Sequence, residues 1–116
     1  MIALCKIFPA NLQILRLIGN EITRASMLEF SLDFPANLTY LELSNNQIED
    51  MGLLMLEQVL IGSQLSDLCL IRSGLTSDGF MTLMNILSRN KKIRSLNSSE
   101  NTHVHMWMPN IFNAMS

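Results

Sequence analysis

Charge is scarce in this chain of 116 residues: Asp, Glu, Lys and Arg make up 16% of it, against about 25% in an average globular domain. The net charge is only −2, which gives no reason to expect a nucleic acid or an anionic membrane as partner. The one basic cluster, Arg89, Lys91, Lys92 and Arg94, reads as a solvated loop that complements the end of a preceding helix. Hydrophobic residues reach 48%, and low charge with that much apolar content excludes a disordered chain.

There are only two cysteines, Cys5 and Cys69. They form no disulfide framework, so both are expected as free thiols in a reducing, cytoplasmic setting; delivery of a bacterial effector into a host cytosol is the variant of that reading. No apolar run approaches the ~20 residues of a membrane span. The apolar stretch at the start is broken by Lys6, and no small-residue cleavage site follows it, a poor match to a secretory signal.

The common catalytic motifs are missing too. There is no GxxxxGK[ST] loop, GxSxG elbow or HExxH pair. His103 and His105 have no third ligand nearby in sequence. Cys69, flanked by Leu68 and Leu70, has no evident base. No catalytic residue, metal or cofactor is therefore assigned, and the chain is read as a non-enzyme.

What the chain does have is a repetition. The string FPANL occurs at residues 8–12 and again at 34–38, starting 26 residues apart. Four segments laid out from it read LQILRLIGNEI (12–22), LTYLELSNNQI (38–48), LSDLCLIRSGL (65–75) and IRSLNSSENTH (93–103). Aliphatic residues recur at offsets 0, 3, 5 and 10 of the first three, and offset 8 carries Asn20, Asn46, Ser73 and Asn101. The alternation in the middle of each segment is that of a strand with one buried face. The stretches between carry helical spacing, with Leu53, Leu56, Val59 and Leu60 matched 27 residues on by Phe80, Leu83, Ile86 and Leu87. Asp50 and Ser77 stand where helix N-caps are expected, and Gly52 and Gly79 where neighbouring helices would approach closely. Pro9 and Pro35 end the outer segments, so FPANL recurs because the chain turns the same corner twice.

The pattern LxxLxLxxNxL resembles the leucine-rich repeat, and its spacing of 26–28 residues resembles the ribonuclease-inhibitor type. The resemblance implies an α/β fold: a short solenoid with parallel strands on its concave face and helices on its convex face. One domain over residues 1–116 follows, with a partial leading repeat at 1–11, repeats at 12–37, 38–64 and 65–92, and a degenerate last repeat with a C-terminal cap at 93–116. In that last unit Ser98 replaces a core leucine, and residues 102–116 lack charge but include Trp107 and several methionines. A cap is the expected role; a contact surface or the truncated end of a longer array are the alternatives.

Members of this family commonly bind protein partners through the concave face, and offsets 2, 4, 6 and 7 would line it. On that rule the partner-binding residues are Ile14, Arg16, Ile18, Tyr40, Glu42, Asp67, Ile71 and Arg72, with Ser44 exposed in the same rows. Arg16 beside Glu42 and Arg72 beside Glu100 would form cross-strand ion pairs. The offset-8 residues would bond the backbone of adjacent turns. The function expected is a non-enzymatic protein-interaction module, with self-association through uncapped ends as a further expectation. The alternative is a regulator of an enzyme: a small-GTPase modulator, or the recognition part of a ubiquitin ligase or bacterial effector.

Overall fold

The repeated corner is visible as a repeated hydrogen bond: Leu12 N–H donates to Pro9 O at 3.1 Å, and Leu38 N–H to Pro35 O at 3.2 Å. Each proline fixes its own φ and closes a turn that delivers the next leucine to the sheet. The computed structural model describes residues 9, 11–19 and 22–101, with the side chain of Arg24 excepted. Cys5, Asn20, the leading segment 1–8 and the expected cap at 102–116 lie outside the described residues.

Strands and helices alternate: β1 (Ile14–Arg16), α1 (Arg24–Leu32), β2 (Tyr40–Glu42), α2 (Glu49–Ile61), β3 (Asp67–Cys69), α3 (Ser77–Arg89) and β4 (Ser95–Asn97). The sheet is parallel in the order β1-β2-β3-β4. Parallel neighbours need a crossover connection, which each helix supplies. The register joins equivalent positions: Ile14 faces Tyr40, Tyr40 faces Asp67, and Asp67 faces Ser95.

The helices form a layer on one side of the sheet, with α1 packed on α2 and α2 on α3. The core lies between the two layers. Leu15, Leu41 and Leu68 enter it from the strand centres, and Leu43, Leu70, Ile48 and Leu75 follow from the strand ends. Met27 and Phe30 from α1, Leu53, Leu56 and Leu60 from α2, and Phe80, Leu83, Ile86 and Leu87 from α3 fill the rest. Phe30 also meets Phe34 of the first full corner, with ring centroids 5.1 Å apart and planes tilted by 50°. Leu96, on the outermost strand, is only half-buried.

Polar side chains tie each unit to the next along two lines. On the first, Asn46 accepts Ile22 N–H at 3.1 Å through Oδ1. Its Nδ2 donates to Leu43 O and Ser44 O, both at 3.1 Å, and to Leu17 O. Asn101 repeats the arrangement, accepting Ser73 N–H at 2.9 Å and Leu75 N–H at 3.0 Å, and donating to Leu70 O at 2.7 Å. Ser73, shorter than asparagine, reaches only back to carbonyls, with its hydroxyl donating to Leu43 O at 3.3 Å. These are the backbone bonds expected of offset 8.

The second line was not anticipated. Asn90, just after α3, is buried and donates through Nδ2 to Leu60 O at 2.7 Å and Ser63 O at 3.2 Å, while its Oδ1 accepts Lys92 N–H at 2.9 Å. One unit earlier, Ser63 donates to Leu60 O at 2.9 Å and accepts Leu65 N–H at 3.3 Å. Among the described residues, no buried side-chain nitrogen or oxygen lacks a hydrogen-bond partner.

The helix starts differ from expectation. Asp50 and Ser77 are not N-caps: both lie inside the first turn, behind Ile48 and Thr76. Asp50 instead reaches the next unit, where its Oδ1 accepts Thr76 N–H at 2.8 Å and its Oδ2 accepts the Thr76 hydroxyl. Glu49 begins α2 at a φ of 63°, outside the right-handed helical region, so the chain turns just before Asp50.

Candidate functional site

The sheet face turned away from the helices carries the side chains that alternate with the core leucines, as the strand period requires. β1 shows the alternation most plainly, with Leu15 buried between exposed Ile14 and Arg16. On β2 and β3 the flanking residues Tyr40, Glu42, Asp67 and Cys69 are half-buried, because each has a strand on both sides.

Glu42 is the hub of this face. Its Oε1 lies 3.6 Å from Arg16 Nε and accepts the Tyr40 hydroxyl at 3.4 Å; its Oε2 accepts the Cys69 thiol at 3.6 Å. The Arg16 guanidinium also sits over the Tyr40 ring, 5.2 Å from its centroid, a cation–π arrangement. Arg16, Tyr40, Glu42 and Cys69 thus form one connected cluster across β1, β2 and β3. It satisfies the Glu42 carboxylate and leaves no nucleophile beside a free base. Among the described residues, no group of three or more His, Cys, Asp or Glu side chains could hold a metal ion.

Ser44 departs from the expected exposed row. It is 2% exposed, because its hydroxyl lies 3.3 Å from Cys69 Sγ and accepts Ile71 N–H at 3.1 Å. A small side chain with two neighbours of this kind closes into the strand end instead of projecting. Ile18, at the same offset on the sheet's outer side, is 47% exposed, and Ile71 is half-buried. Together with Ile14, 61% exposed, they leave an apolar area on either side of Arg16, mainly at the β1 edge.

Offset 7 is a corner of its own. Gly19, Asn45, Arg72 and Glu100 have φ values of 63°, 59°, 51° and 60°, all in the left-handed region where glycine and asparagine are tolerated and other residues are strained. The last three side chains are joined: Arg72 Nη2 lies 2.7 Å from Glu100 Oε1, and Arg72 Nη1 donates to Asn45 Oδ1 at 3.3 Å. The structure therefore places Ile14, Arg16, Ile18, Tyr40, Glu42, Asp67 and Ile71 on or beside one sheet face. Arg72 stands apart from them, on a ridge at the strand C-terminal ends. Both cross-strand ion pairs expected from the sequence are present.

A second apolar surface was missed. Leu28 on α1, Leu54 on α2 and Met81 on α3 are exposed, at 54%, 48% and 62%, and occupy equivalent places 26 and 27 residues apart. Reading along one helix at a time hides this row; stacking the repeats at the helix positions would have shown it.

Residues 35–56, which span β2 and most of α2, match the family model described as Leucine Rich repeat. No curated protein matches the chain by sequence. Among solved structures, "Leiomodin-1 Actin-Binding Site 2 (ABS2)" is similar, with a TM-score of 0.70 over 91% of this chain and 82% of that one, at 13% identity. Identity that low shows a shared fold and nothing finer. The repeat match and the shared fold together support a leucine-rich repeat protein, built as an α/β chain with a parallel four-stranded sheet and three helices.

Proposed function

We propose that the chain is a non-enzymatic protein-interaction module that binds a protein partner through the open face of its sheet, the concave face of a short solenoid of the ribonuclease-inhibitor type. The repeats would span 12–37, 38–64 and 65–92, with a partial unit before them and a capping unit after. The observation that carries the reading is the pair Ile14 and Ile18. Two large aliphatic side chains stand exposed around Arg16, next to the aromatic Tyr40, on a face no helix covers. Apolar side chains rimmed by charge are what a docking face presents, and Tyr and Arg are the residue types that most often anchor one. That the similar leiomodin-1 structure is titled an actin-binding site supports a protein as the class of partner, without naming this chain's own.

The exposed row Leu28, Leu54 and Met81 favours a second reading, in which the partner docks on the outer helix layer. The alternative of an enzyme regulator, such as a small-GTPase modulator, is separated from plain binding by a GTPase-stimulation assay. The test of the first reading is capture from lysate by the purified chain and by an Ile14→Asp, Ile18→Asp variant. Both positions are exposed, so the variant should melt within a few degrees of the parent. A protein retained by the parent and lost by the variant supports the open face. Equal retention by both excludes it.

A further inference from the structure

Two of the acidic side chains along the strands and their ends already have a guanidinium: Glu42 meets Arg16 at 3.6 Å, and Glu100 meets Arg72 at 2.7 Å. Asp67 does not. It lies half-buried at the start of β3, in register between Tyr40 on β2 and Ser95 on β4. The Ser66 hydroxyl donates to its Oδ2 at 2.8 Å, and no ion pair among the described residues includes it. A carboxylate offers about four acceptor sites, so Asp67 keeps most of its capacity, on a strand position in register with Tyr40. Partial burial makes that unmatched charge costly to cover with an apolar or acidic group and favourable to cover with a cation.

We propose that the open face receives an extended segment of a partner protein that brings a Lys or Arg side chain to Asp67, within three residues of an apolar side chain seated on Ile14. This rests on the open face being the binding surface, and adds the chemistry of what binds there. The spacing follows from the sheet. Ile14 and Asp67 lie two strands apart, roughly 10 Å at the usual strand separation, which an extended chain spans in about three residues. An acidic segment would meet Asp67 unscreened, while a basic one completes the row of matched charges.

The test is selection of short random peptides from a display library on the purified full chain, followed by titration of a synthetic consensus peptide. The expected consensus carries Lys or Arg close to an apolar residue. Asp67→Asn, which keeps the bond from Ser66, should weaken that peptide by about tenfold to a hundredfold, the range for a hydrogen bond to a charged group, and its binding should lose salt dependence. Asp67→Arg should shift selection to acidic peptides, with the melting temperature showing that both variants fold. Consensus peptides without a cation, an Asp67→Asn variant of unchanged affinity, or no enrichment at all would overturn the inference. The open-face reading has its own test: if Ile14→Asp, Ile18→Asp still abolishes binding of a cation-free peptide, the face survives and only its basic ligand is lost.

Discussion

Asp50 of α2 accepts the backbone N–H of Thr76 at 2.8 Å, so the cap of α3 comes from the helix before it. The same carboxylate explains Gly79. A Cβ built there would collide with Asp50 Oδ1 and stand 3.0 Å from a Leu75 methyl. Asp50→Ala should destabilise by about 1 kcal/mol, the usual effect of losing a cap. Gly79→Ala, normally worth ~1 kcal/mol in favour of a helix, should instead destabilise. In an Asp50→Ala background its penalty should shrink by about 1 kcal/mol or more. Urea unfolding of the four proteins measures this, and additive effects would refute the collision.

Asn90 joins the ends of α2 and α3 by three hydrogen bonds to backbone. Asn90→Ala takes the side-chain donor from the Ser63 carbonyl and one donor from the Leu60 carbonyl, which keeps the Ser63 hydroxyl, and should destabilise by about 1–3 kcal/mol. Asn90→Asp puts a carboxylate against those same carbonyls and should be worse than alanine. A thermal melt that ranks aspartate as the milder change would show that the side chain acts by shape alone.

Arg72 occupies a left-handed corner, at φ 51°, that Gly19 and Asn45 occupy in the preceding units. Relief of that strain is worth roughly 1 kcal/mol, and the exposed Arg72–Glu100 pair contributes about as much or less. Arg72→Asn should therefore be neutral or stabilising. A clear fall in melting temperature would mean that the ion pair, with its extra bond to Asn45, outweighs the strain.

Leu41 and Tyr40 are neighbours on β2 with opposite fates. Leu41 is fully buried, so Leu41→Ala should cost about 2–5 kcal/mol through lost burial and a cavity. Tyr40→Ala should change stability much less and weaken partner binding by about 1 kcal/mol or more. Thermal melts of both, with titration against any captured partner, check the strand register. A Tyr40→Ala protein that unfolds while Leu41→Ala survives would reverse it.

The periodic part of the structure was legible in the sequence because it depends on which residues are apolar and how far apart they stand. Leu15, Leu41 and Leu68, or Phe80, Leu83, Ile86 and Leu87, are buried where spacing puts them. What escaped depends on side-chain reach between units, which spacing alone does not encode. Asp50 looked like a local cap and serves the next helix; Ser44 looked exposed and is drawn in by Cys69 and Ile71; Asn90, inside the basic stretch read as a solvated loop, is a buried strut. The open face was legible as a set of positions, but not the saturation of Glu42 by Arg16, Tyr40 and Cys69, which leaves Asp67 as the unmatched charge.

Oxidative side-chain footprinting reads directly which face meets the partner. Tyr40, Ile14 and Ile18 report on the open sheet face; Met51 and Met81, exposed on α2 and α3, report on the helix layer. With a captured partner bound to the full chain, labelling of Tyr40, Ile14 and Ile18 should fall while Met51 and Met81 stay as reactive as in the free protein. Protection of the two methionines with Tyr40, Ile14 and Ile18 unchanged would contradict the account and move the site to the outer helices.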